Sequence, residues 1–277
     1  MALLNEDGKL LIGRNVSDAF DWLIDKAGGF FDVVETVLST TIDVVLAGLQ
    51  FLPAYVMVLV FAALTWALQR DWKRVVVVVV CFLFVINQGY WEATTESLTL
   101  ILFAGAFCMG VGVPIGIYAA HNPRFYSFIL PVLDMMQTIP TFVYLIPMIV
   151  LFGIGMVPGL VATFIFVLPA PIRLTQLGVS QVPTALTEAA RAFGATPRQT
   201  LWKVELPYAF PQIMTGLNQT IMLSLSMVVI SGLVGADGLG VPVVRALNTV
   251  NAPLGFESGI VIVAVAIALD RMLRVER

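Results

Sequence analysis

Charge is scarce in this sequence: Asp, Glu, Lys and Arg make up 12% of its 277 residues, against 59% that are hydrophobic. A soluble domain carries roughly a quarter charged residues, so a water-bathed globule is excluded and the chain reads as a membrane protein. The 15 Lys and Arg are scattered singly, which leaves no basic face for nucleic acid. Histidine occurs once, as His121 in the stretch HNPR, where it reads as a turn residue. Cysteine occurs twice, as Cys81 and Cys108, both inside apolar runs. A metal site needs several such donors, so none is expected, and the thiols read as unpaired residues of the interior or the lipid face. No GxxxxGK[ST] is present, hence no nucleotide loop and no cofactor are expected. The glycine-rich GVGVPIG at 110–116 lacks lysine and falls in an apolar run, so it reads as close helix packing. The opening MALLNEDGKL has neither the basic region nor the apolar run of a cleaved signal, and the whole chain is expected to be mature.

What is present is apolar pattern. Residues 1–50 form an amphipathic N-terminal segment: Phe20, Leu23, Ile24, Ala27, Phe31, Val34, Val37, Leu38, Ile42 and Val45 recur at three and four, with acidic residues between them. Such a segment lies on a membrane rather than crossing it, and Gly28-Gly29 is expected to divide it into two helices. Uncharged apolar runs follow at 51–68, 75–91, 98–120, 125–152, 154–172, 213–234 and 258–269. The expected fold is therefore all-α and polytopic, with about seven transmembrane helices after an interfacial N-terminal helix. The second and last runs are short. FGIGMVPG, from Phe152, reads as a hairpin turn between the fourth and fifth runs. Arg70, Lys73, Arg74, Arg124, Arg191, Arg198, Lys203, Arg271, Arg274 and Arg277 fall on one side of the membrane, and Glu92, Glu96, Asp237 and Glu257 with only Arg245 on the other. Cation-rich short loops stay in the cytoplasm, which orients the chain.

The loop at 183–211 is a polar island on the cytoplasmic side. Thr184 is placed to cap a helix whose apolar face is Leu186, Ala189, Ala190 and Phe193, with Glu188 and Arg191 turned away. Gly194 ends it at a position that favours a left-handed residue. Thr196, Pro197 and Gln199 form a capping box for a second helix, which Leu206-Pro207 closes. A DNA-reading helix-turn-helix would need a basic recognition face, which is missing. A solvated loop and a docking surface remain, and the small, charge-flanked face favours docking.

These residues carry a resemblance. Glu188-Ala189-Ala190, Gly194 and Leu206-Pro207 resemble the EAA loop in permease subunits of bacterial ABC importers. The segments LDMMQTIPTFVYLIPMIVLFGIG, LPAPIRLT, NQTIMLSLSMVVISGLVGADGLG and GIVIVAVAIALDR resemble the subfamily that imports quaternary ammonium compounds such as glycine betaine, proline betaine and choline. The similarity spans about residues 50–273, so 51–277 is expected to be a type I importer transmembrane domain. It implies a multi-pass chain in the bacterial inner membrane, paired with a second copy and bathed in lipid. It also implies a cytoplasmic ABC ATPase and an extracytoplasmic substrate-binding protein as partners. Glu188, Ala189, Ala190, Arg191, Gly194, Leu206 and Pro207 would make the ATPase-coupling loop. The chain itself would carry no catalysis. An ion-gradient-driven carrier or channel for small amines is the alternative, and it would need coupling charges in several spans.

Within the spans the polar residues read two ways. Asp134, followed by Gln137 and Thr138, either lines a translocation pathway near the gate or pairs with Arg124 or Arg173; an intramembrane carboxylate is costly enough to be a functional candidate. Asn218, Ser224 and Ser226 either line the path or, more readily, join helices by hydrogen bonds. A quaternary ammonium ion donates no hydrogen bond and is held by aromatic faces, which makes Phe142 and Tyr144 pathway candidates beside their ordinary reading as core. Trp66, Trp72 and Trp91 sit at run ends, as an interfacial belt would place them.

Overall fold

Hydrophobic periodicity becomes helix along most of residues 12–273, the part that the computed structural model describes. Arg274, Arg277 and the opening MALLNEDGKL lie outside the described residues. The first helix, α1 (Ile12–Gln50), is continuous over 39 residues, so Gly28-Gly29 does not divide it. An interior glycine weakens a helix by about 1 kcal/mol but removes no hydrogen bond, and the bundle holds the turns that follow. Phe31 meets Phe152 edge-on at 5.6 Å, Ile42 is buried, and Gln50 Nε2 donates to Thr95 Oγ1 at 2.9 Å. Three faces result: Phe31, Leu38 and Ile42 toward the bundle, an acidic strip through Asp25, Asp32 and Asp43, and exposed Phe30, Val33, Val37 and Val44.

A bend of 97° joins α1 to α2 (Ala54–Gln69), which forms a hairpin with α3 (Trp72–Asn87). Asp71 caps α3 by accepting from the Lys73 amide at 2.9 Å. Then come α4 (Trp91–His121), α5 (Pro123–Thr138), a 3-10 turn at Thr141–Tyr144, and α6 (Leu145–Phe152). A turn at residues 153–155 leads to α7 (Met156–Val167) and α8 (Pro169–Ser180), which together make one length of membrane-spanning helix. After the polar island, with α9 (Thr184–Ala192) and α10 (Pro197–Thr200), the chain runs through α11 (Leu206–Ser231), α12 (Gly240–Thr249) and α13 (Ala252–Leu273).

Two expectations about the spans change. Four helices among the described residues are long and apolar enough to cross a membrane, or up to six if each of two bent pairs counts as one; seven is not reached. At about 1.5 Å per residue, the 16 residues of α3 give about 24 Å, short of the roughly 30 Å hydrocarbon core. The last span is longer than its uncharged run suggests, because α13 has 22 residues. The run at 125–152 is not straight: α5 and the helix after it meet at 101°. Pro140 disfavours helical backbone at the residue before it, and Ile139 is accordingly extended at φ −66°, ψ 130°.

The centre of the bundle is the seam where α4 crosses α8 and α11. A Cβ on Gly112 would come within 2.8 Å of Pro171 Cγ, and one on Gly116 within 2.7 Å of the Ile172 carbonyl oxygen. GVGVPIG is thus a packing surface. Around it, Phe82 is fully buried, stacked on Phe61 and meeting Trp91 edge-on, so Trp91 packs inward while Trp66 and Trp72 are exposed. Cys81 and Cys108 are unpaired. The bundle has two distinct ends. At one, Gln69 Nε2 donates to the Met272 carbonyl at 2.7 Å and Asn218 Nδ2 to Asp270 Oδ1 at 3.2 Å. At the other, the Leu239 amide donates to Ser97 Oγ, beside a cavity of about 300 Å³ lined by Tyr90, Glu92, Glu96, Asp237 and Arg245.

Candidate functional site

The polar island folds as a helix, a turn and a second helix that leave the bundle. No residue of α9 is buried. Much of its apolar face is open among the described residues, with Leu186 45% and Phe193 92% exposed. Glu188, Ala189 and Arg191 are exposed and Ala190 is half-buried. Gly194 has φ +82°, and no heavy atom lies within 4 Å of where a Cβ would stand. The glycine is therefore required by backbone conformation and not by crowding within this chain. Thr196 and Gln199 form the capping box, through Gln199 N to Thr196 Oγ1 at 3.3 Å and Thr196 N to Gln199 Oε1 at 2.9 Å.

Two local readings are corrected. Pro183 and not Thr184 is the N-cap, and no side chain caps α9; extended Pro183 places Thr184 already inside the first turn, where its hydroxyl cannot serve the amides ahead. Leu206-Pro207 closes nothing. The chain continues through a π-helical turn, Leu201–Glu205, into α11 with Pro207 in its first turn. A proline lacks an N–H and crowds the carbonyl four residues back. The wider turn, in which the Leu206 amide reaches the Leu201 carbonyl, removes that conflict without ending the helix. The island is consequently joined without a break to a membrane helix.

The pathway candidates are not gathered in one place. Asp134, on α5, lies 2.6 Å from Arg173 Nη2 on α8, so of its two possible cationic partners the fold supplies Arg173. Thr138 Oγ1 donates to the Met135 carbonyl, and Tyr144 OH to the Met136 carbonyl at 3.0 Å. Tyr144 thus satisfies a carbonyl freed by the break after α5. Gln137 is half-buried beside it, and Phe142 is 58% exposed. On α11, buried Ser224 and exposed Ser226 donate to the carbonyls four residues back, of Thr220 and Met222. Asn218 joins α11 to α13 through Asp270. Sequence reasoning missed Glu205, a carboxylate on the π turn that is only 8% exposed, with His121 Nε2 at 2.9 Å from its Oε2. His121 is the last residue of α4 rather than a loop residue. No local signal joins two residues so far apart in the chain.

Several membrane-length helices, two bent helix pairs and a capped helical island continuous with a membrane helix fit the membrane subunit of a transporter. Comparison with known proteins narrows this class. Residues 112–274 match the family described as "Binding-protein-dependent transport system inner membrane component". The chain is 44% identical to the glycine betaine transport system permease protein OpuAB of Bacillus subtilis, over 93% of this chain and 92% of that one. It is also 44% identical to the glycine betaine/proline betaine transport system permease protein ProW of Escherichia coli, over 93% of this chain and 72% of that one. Among solved structures it resembles a chain of the MetNI methionine ABC transporter in an inward-facing conformation. The TM-score is 0.57 and the identity 26%, over 69% of this chain and 96% of that one. The chain belongs to the binding-protein-dependent transport permease family and is an ABC importer permease subunit, a multi-pass protein of the bacterial inner membrane.

Proposed function

We propose that this permease carries quaternary ammonium compounds of the glycine betaine, proline betaine or choline class, accepting them from a separate binding protein outside the cell. Import is driven by a separate cytoplasmic ABC ATPase, and the chain itself holds no nucleotide. The island at 183–211 is the coupling element: Glu188, Ala189, Ala190, Arg191 and Gly194 enter the ATPase groove, and Leu206 and Pro207 carry the motion into α11. Two copies pair, because an ATPase dimer offers two grooves and one chain has one such loop. The broken α5–α6 segment, with Asp134, Gln137, Thr138, Phe142 and Tyr144, faces the path between them, and Asn218, Ser224 and Ser226 stiffen α11 beside it. Residues 51–277 form the transport domain. The N-terminal segment 1–50 rests in the outer leaflet, its exposed Phe30, Val33, Val37 and Val44 in lipid and its acids in water.

The observation that supports this reading most directly is the helix α9, an amphipathic element with no buried residue, whose Leu186 and Phe193 stand exposed. An exposed apolar helix face on a continuous helical stalk suits a docking partner. The substrate class rests on the glycine betaine permeases that share 44% of the sequence. Gly194→Val tests the coupling reading in the reconstituted complex. A β-branched residue in left-handed backbone costs roughly 1–2 kcal/mol, confined to an exposed turn, so abundance in the membrane stays near normal. Transport of glycine betaine and its stimulation of ATP hydrolysis are expected to be lost. Wild-type transport by a well-expressed Gly194→Val complex refutes the assignment.

A further inference from the structure

We infer that His121 and Glu205 form a positioning pair that transmits movement of the coupling island to α4 as well as to α11. The inference rests on the coupling role proposed for residues 183–211. Three features of the structure carry it. Glu205 is the last residue of the π turn, the segment through which any displacement of α9 and α10 must pass to reach α11. His121 is the last residue of α4, the helix whose Gly112 and Gly116 lock it against α8. Between them, Nε2 and Oε2 stand 2.9 Å apart, and among the described residues that buried oxygen accepts no hydrogen bond from elsewhere. The imidazole is itself fixed, since Nδ1 lies 2.9 Å from the Ile117 carbonyl. A carbonyl only accepts, which assigns the donor role there to Nδ1 and leaves Nε2 as the ring nitrogen facing the carboxylate.

The surroundings make the pair a mechanical joint. Directly beneath it, Leu206, Ala209 and Ile213 of α11 pack on Met109, Val113, Ile117 and Ala120 of α4. These apolar contacts hold the helices together but resist sliding weakly, because they have no direction. The polar contact adds the direction, tying one point on α4 to one point on the π turn. The π turn interrupts the α-helical register between island and α11, and the pair ties that interruption to a second helix. Without the pair, the island's motion is expected to dissipate there.

The test separates this role from simple stabilisation. His121→Ala removes the imidazole that faces buried Oε2 of Glu205, and it is expected to lower the ratio of glycine betaine transported to ATP hydrolysed at least fivefold in proteoliposomes containing permease, ATPase and binding protein. Adding Glu205→Gln to His121→Ala removes the buried charge. That double variant is expected to regain the wild-type melting temperature and membrane abundance yet keep the fivefold loss of ratio. Glu205→Gln alone lets an amide N–H donate to Nε2, so this conservative variant is expected to keep the ratio within twofold of wild type. A stable double variant with a wild-type ratio overturns the inference, as does a stable Glu205→Gln protein that has lost the ratio fivefold. Failure of this inference alone leaves Gly194→Val still inactive, whereas failure of the coupling reading shows as transport in Gly194→Val.

Discussion

Replacing Gly116 by alanine adds one methyl group at the tightest point of the α4–α8 seam. The new Cβ would stand 2.7 Å from the Ile172 carbonyl oxygen and 2.7 Å from Thr175 Cβ, where ordinary contacts are about 3.5–4.0 Å. Relief requires α8 to withdraw by most of an ångström, because a backbone carbonyl cannot swing aside as a side-chain end can. Overpacking costs about 1–3 kcal/mol, and the backbone contact places this site in the upper part, about 2–3 kcal/mol. The control is Gly110→Ala in the same helix, where nothing lies within 4 Å of the new Cβ. Both substitutions gain the same helix propensity, about 1 kcal/mol, so it cancels between them. At about 2–4 °C per kcal/mol for a chain of this size, Gly116→Ala melts about 4–12 °C below Gly110→Ala. With half-buried Cys81 replaced by serine, Cys108, fully buried on α4, is a reporter whose reaction with a fluorogenic maleimide in detergent follows unfolding. Melting of the two variants within about 1 °C of each other refutes the packing account of GVGVPIG.

Three further outcomes are expected. Asp134→Ala and Arg173→Ala each reduce uptake by the full complex about tenfold, and the double variant is no worse than either, because both remove one contact; additive losses in uptake assays would separate their roles. A reporter fused after Arg198 reads cytoplasm and one after Asn248 reads the outer side, as the distribution of cations requires; an outer signal at Arg198 removes the docking surface from the ATPase. Purified alone in liposomes, the permease neither hydrolyses ATP nor concentrates glycine betaine, and uphill uptake under a sodium or proton gradient would establish a carrier instead.

The sequence by itself determined whatever depends on local spacing and bulk composition. Scarcity of charge placed the chain in a membrane, since hydrocarbon solvates nothing else so cheaply. The capping box at Thr196 and Gln199 and the left-handed turn at Gly194 were legible because each is settled within a few residues of backbone. Tertiary structure decided everything that depends on a distant partner. Gly28-Gly29 stays helical because α1 is held on the bundle through Phe31, Ile42 and Gln50, contacts that no local propensity contains. Thr184 and Pro207 depart from their expected roles because Pro183 starts the helix one residue earlier and a π turn accommodates Pro207. The break at Pro140 has a local cause, but its angle and the role of Tyr144 in satisfying a freed carbonyl come from packing. Asp134 had two possible cationic partners along the chain and received Arg173 only when α5 was laid beside α8. Glu205 and His121, 84 residues apart, meet only because α4 ends where α11 begins, at the same face of the bundle. Short-range dihedral preference and hydropathy can be read along the chain, but the pairing of polar groups across helices depends on which helices touch.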